Sequence, residues 1–142
     1  MAKGIVIIPE GNKNKKSVEI GFPYEVSCIY DYSKIVGFAQ RRECKVLFLT
    51  SYYGVVSLKS TIGADRIDLR GLSREKFLKW NLLICEEIVR SCVANGTTKV
   101  FLMCKEFNRY GLLVTEVRKR GIQVETPLLG KTLSLQERVL DN

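Results

Sequence analysis

Thr50, Ser51, Tyr52 and Tyr53 follow directly on the apolar run KVLFL at 45–49. A buried strand that ends in hydroxyls and aromatic rings brings hydrogen-bonding groups and a stacking face to one place. That is the chemistry of a site for a flat polar ligand such as a nucleobase. For either tyrosine the residues leave a second reading open, a core aromatic whose hydroxyl is satisfied at the rim. Asn12, Lys13 and Lys15 lie in the polar segment PEGNKNKK at 9–16, and lysines there would meet phosphate or carboxylate as point charges. The chain has no histidine, so a general base must be a carboxylate, lysine, tyrosine or cysteine, and Asp65 is the leading candidate. The expected catalytic residues are Asp65, Tyr53 and Lys15. The expected ligand-binding residues are Asn12, Lys13, Ser51 and Tyr24.

The missing histidine also removes Ser-His and Cys-His nucleophile pairs and histidine metal ligands. Cysteines stand at 28, 44, 85, 92 and 104, and no two have CxxC spacing, so neither a metal site nor a cofactor is expected. They read as small buried hydrophobes, and their odd number does not suggest a disulfide framework. The net charge is +8 and the pI near 9.4, a positive field that attracts polyanions. Transfer RNA or DNA is the expected partner on that ground. No apolar run approaches the roughly 20 residues that span a bilayer, and no signal peptide is visible. A cytoplasmic protein without membrane partners is expected.

The chain's 142 residues suit one domain over 1–142. GIVII (4–8), KVLFLT (45–50), KVFLMC (99–104) and IQVET (122–126) read as buried strands. Helices are expected over 30–42, 73–95, 106–120 and 133–140, and 51–72 reads as irregular. In the helix 73–95, Phe77, Trp80, Ile84, Ile88 and Cys92 make one apolar stripe, while Leu82, Cys85, Val89 and Val93 line a second face. Strands alternating with helices predict an α/β fold, three layers with a mostly parallel, Rossmann-like sheet of about four to five strands. Ligands in such folds lie beyond the carboxyl ends of the strands. The segments PEGNKNKK, TSYYG, CKEFNRYG and TPLLGKT then all open at one edge.

Five segments, IVIIPEGNKNKK, CIYDYSKIVGFA, FLTSYYGVVS, IGADRIDL and TPLLGKTLSLQERVL, resemble in order and spacing small phage, bacterial and archaeal proteins with a domain of unknown function, the peroxide-stress or YaaA-like group. The chain departs from that pattern at three places. Glu10 stands where the group has cysteine, Ile35 where it has phenylalanine, and Ala64 or Arg66 near its tyrosine. More distantly the layout is similar to the core domain of archaeosine synthase, which implies a pocket that handles a base or nucleoside.

Three functions are consistent with these residues. One is an enzyme, or former enzyme, on a modified base or nucleotide, its motif partly degenerate. The second is a non-catalytic nucleic-acid-binding module, with basic clusters at Lys13, Lys15 and Lys16, at Arg41 and Arg42, at Arg66, Arg70 and Arg74, and at Arg118, Lys119 and Arg120 tracking phosphates. The third is a homodimeric interaction protein of viral or mobile-element origin that uses the second face of helix 73–95.

Overall fold

The computed structural model describes residues 2–10, 32–57 and 67–142. Their order is β1 (Gly4–Pro9), α1 (Tyr32–Arg41), β2 (Cys44–Thr50), β3 (Gly54–Ser57), α2 (Arg74–Ala94), β4 (Lys99–Leu102), α3 (Phe107–Lys119), β5 (Gln123–Glu125) and α4 (Leu133–Asp141). A short 3-10 turn, Leu69–Gly71, precedes α2.

The strands form one sheet in the order β3-β2-β1-β4-β5. β1 is central and parallel to both β2 and β4, β5 is parallel to β4, and β3 runs antiparallel to β2. The central place of β1 explains its unbroken apolar sequence. Both faces of it are covered, so alternation with polar residues would bury unpaired polar groups. Ile5 and Ile7 face α2 and α3 together with Leu47, Leu49, Val100 and Leu102. Val6 and Ile8 face α1 and α4 together with Phe48, Phe101 and Met103. The α/β fold with helices on both faces of a mostly parallel sheet is therefore present.

Residues 51–72, expected to be irregular, contain a strand. At Gly54 the backbone takes φ +75°, a left-handed conformation that glycine adopts without strain. The Thr50 hydroxyl latches the turn, accepting from the Tyr53 N–H at 2.9 Å and donating to the Gly54 carbonyl at 3.1 Å. The reversed chain then pairs Val55 with Leu49 and Val56 with Phe48. Glu87 of α2 takes the outward Val55 N–H at 2.9 Å, so a carboxylate covers part of the edge.

α2 starts where its sequence signals it, with Ser73 as N-cap accepting from the Lys76 N–H. It buries Trp80, Asn81, Ile84, Cys85, Ile88 and Cys92. The expected second face divides. Cys85 is buried, Val89 packs partly against the core, and Leu82 and Val93 are exposed together with Leu78 and Leu83. No helix among the described residues is long and apolar enough to cross a membrane.

Candidate functional site

α1, which follows β1, lies on one face of the sheet, and α3, which follows β4, lies on the other. The chain therefore switches faces between β1 and β4, and a crevice opens outside the carboxyl ends of those two strands. The backbone there is ordered by one carboxylate. Glu10 follows β1, and its side chain accepts from the Ser51 N–H at 2.7 Å and from the Ser51 hydroxyl at 2.9 Å. The Ser51 hydroxyl accepts in turn from the Ile67 N–H at 2.9 Å. The Ser51 carbonyl accepts from Trp80 Nε1 at 2.9 Å. One buried serine thus joins the ends of β1 and β2 to the segment before the 3-10 turn and to α2.

Ser51, expected to bind a ligand, is 4% exposed, and its hydroxyl donates to Glu10 and accepts from Ile67 inside the fold. Tyr53 follows β2, as expected, and lies in the turn to β3. Its ring meets that of Tyr52 edge to face, centroids 4.9 Å apart at 75°, and Tyr52 is 55% exposed. The pair is an aromatic surface beside the Ser51 hub. Asp65, Lys15, Asn12, Lys13 and Tyr24 lie outside the described residues.

Next to the hub lies a cleft of about 670 Å³ lined by Leu69, Arg70, Leu72, Arg74, Phe77, Glu106, Asn108 and Arg109. Its walls are the 3-10 turn with the start of α2, and the start of α3. Both helices begin at the carboxyl edge of the sheet. Three guanidiniums and one carboxylate line it over a half-buried aromatic ring. Among the described residues Arg70 and Arg74 make no ion pair. Glu106 is the N-cap residue of α3 but makes no capping hydrogen bond with its side chain. The volume falls in the range of small-ligand sites, roughly 300–1,000 Å³.

The other basic clusters are engaged by the fold. Arg41 donates to the Leu140 carbonyl. Arg42 stacks on the Phe38 ring, 3.7 Å from its centroid. Arg118 donates to the Val124 carbonyl at 2.9 Å. Lys119 pairs with Glu116 at 3.3 Å, and Arg120 with Glu86; the Arg120 guanidinium holds the Glu86 carboxyl below its ordinary range. Lys13, Lys15, Lys16 and Arg66 lie outside the described residues.

Two groups between the end of β4 and the first turn of α3 are held neutral. Burial pushes the Tyr110 hydroxyl up to about 12, with the nearby Glu10 carboxylate adding to the rise and Arg109 opposing it. Burial pushes the Cys104 thiol up to about 11. A thiol so protonated is a poor nucleophile, which fits the expectation of cysteines as core residues. Cys85 and Cys92 are likewise buried and raised by burial. Among the described residues no three metal-ligating side chains of His, Cys, Asp or Glu come together.

Sequence reasoning placed Arg70 and Arg74 in a phosphate-tracking cluster and Phe77 in the core stripe. It singled out neither Arg109 nor Glu106. The available signal was their position directly after a parallel strand, where ligands gather. A comparison with known protein families finds no match, and neither does one with curated proteins or one with solved structures. The resemblance to the YaaA-like group is carried by the sequence segments alone.

Proposed function

We propose that this protein binds nucleotides, free or at an accessible position of a nucleic acid, in the cleft between the starts of α2 and α3. The observation that carries the reading is the placement of Arg70 and Arg74, which make no ion pair among the described residues, beside Arg109 in one concave site. Arg74 is the first residue of α2, and Arg109 lies in the first turn of α3, which has no acidic residue there. Both cations sit at the positive end of a helix dipole, where a cation is disfavoured. An anion bound between them offsets that repulsion at both helices and accepts hydrogen bonds from planar guanidiniums. Phe77 supplies an apolar ring for a base, and the Tyr52–Tyr53 pair offers a further stacking surface beside the hub. The reading commits to binding and assigns no reaction.

Trp80 is the chain's one tryptophan, and its indole is bonded to the hub next to the cleft. Its fluorescence therefore reports ligand. Titration with ribonucleoside triphosphates and with short single-stranded RNA and DNA, at low and moderate salt, tests the reading. Saturable binding that weakens in Arg74→Ala supports it. No binding to any of these, or binding untouched by Arg74→Ala, rejects it.

A second reading rests on a different observation. Leu78, Leu82, Leu83 and Val93 are exposed along α2, a stripe suited to a helix pair across a two-fold axis. Light scattering of the wild type and of Leu83→Glu decides it. A dimer that the charge splits supports self-association, and a monomer at all concentrations rejects it.

A further inference from the structure

We infer that the cleft is built for a ribonucleotide, with Glu106 accepting hydrogen bonds from the ribose hydroxyls; this rests on the nucleotide reading above. A carboxylate among three arginines would repel phosphate if it faced it. It is also not used up by the arginines. Among the described residues Glu106 makes no ion pair, and as the N-cap residue of α3 it leaves the helix N–H groups uncapped by its side chain. It lines the cleft together with Arg70, Arg74 and Arg109. The partner it suits is a neutral group with hydrogen to donate, close to a phosphate. In every nucleotide the group next to the phosphate is the sugar, and a ribose offers two adjacent O–H donors to one carboxylate. The base lies one group further on, toward the ring of Phe77. Acidic residues at the carboxyl edge of sheets of this type serve the same chemistry on ribose. A deoxyribose offers one donor fewer and leaves an acceptor of Glu106 unmatched.

The test measures binding of ATP, GTP, CTP and UTP, their 2′-deoxy counterparts and inorganic pyrophosphate by Trp80 fluorescence. It uses the wild type, Glu106→Gln and Arg74→Ala. Glu106 makes no side-chain capping bond, so Glu106→Gln is expected to keep the thermal midpoint of the wild type. The expected result is binding of each ribonucleotide about tenfold tighter than its deoxy form, the fold-change that a hydrogen bond to a charged group supplies. That preference disappears in Glu106→Gln, while Arg74→Ala weakens both forms alike. Equal binding of ribo and deoxy forms overturns the inference and leaves the nucleotide reading standing. Discrimination among bases but not sugars, lost in Glu106→Gln, also overturns it, because Glu106 would then read a base edge. Failure of every nucleotide to bind overturns both.

Discussion

Glu10 shows how one side chain can set several elements. Its carboxylate receives both the N–H and the O–H of Ser51, and Ser51 in turn holds Ile67 and Trp80. An amide at position 10 keeps an acceptor for the N–H but can turn an NH2 group toward the hydroxyl. A hydrogen bond to a charged group contributes about 1.5–3 kcal/mol, so Glu10→Gln is expected to lower stability by about 1–3 kcal/mol, measured by chemical denaturation. Glu10→Ala should cost at least as much and should weaken nucleotide binding indirectly, because the 3-10 turn that carries Arg70 is fixed through Ser51. A second prediction concerns alkali. The fold holds Tyr110 and Cys104 neutral, with pKa values raised to about 12 and about 11 above their unfolded values of about 10 and 8.5. A raised folded pKa contributes stability that is complete below the unfolded pKa and is lost as pH climbs through the folded one. The thermal midpoint should therefore fall from about pH 9 toward pH 12, and Tyr110→Phe should remove the part of that fall above about pH 10. A flat profile over this range would contradict the burial of both groups.

At the scale of elements, Gly54 and Glu87 are the sensitive pair. A Cβ at position 54 would meet the Glu87 carboxylate at 2.5 Å, and the φ of +75° is strained for any L side chain. Gly54→Ala is expected to cost about 1–3 kcal/mol, read from urea unfolding. Glu87→Ala should relieve the clash but lose the hydrogen bond to Val55, so the double variant should be less destabilised than the sum of the singles. The four parallel strands and the four helices were legible because each carries its own period or continuous apolar run, with Ser73 marking the start of α2. β3 was not. Its four residues, GVVS, are too few to show alternation, and the signal that makes it a strand is a turn geometry latched by Thr50. Ser51 was legible as a residue that matters at the edge, but not as a buried joint. Its partners lie 41, 16 and 29 positions away, and such pairings are written in the fold, not in local pattern. Arg109 and Glu106 were hidden for a similar reason. Helical spacing assigns them to α3, and only the third dimension puts them across from Arg70 and Arg74.

For the whole molecule the net charge of +8 is a poor guide to where anions bind, because some of the cations stand beside carboxylates at the surface. Arg120 answers Glu86 and Lys99 answers Glu125 at 2.9 Å, while Arg70 and Arg74 stand open in the cleft. If RNA binds through that cleft, replacing Arg70 and Arg74 by alanine should flatten the salt dependence of binding by about 0.7 in log–log slope for each phosphate no longer neutralised. Arg120→Ala should leave the slope where it was. Fluorescence anisotropy with a short labelled RNA at several salt concentrations separates these outcomes. Equal effects of the two replacements would mean that the positive field as a whole, and no site, attracts the polymer.

In the proposed function the cleft between α2 and α3 holds the phosphates of a nucleotide through Arg70 and Arg74. Calorimetric titration of ATP into the wild type and into the Arg70→Ala, Arg74→Ala double variant tests it most directly. Saturable one-site binding to the wild type is expected, with affinity lower by about tenfold or more in the double variant, as loss of charged hydrogen bonds requires. The double variant should unfold at no lower a temperature than the wild type, since neither arginine makes an ion pair among the described residues and Arg74 stands at the unfavourable end of the α2 dipole. Binding of equal strength to both, or to neither, would contradict it.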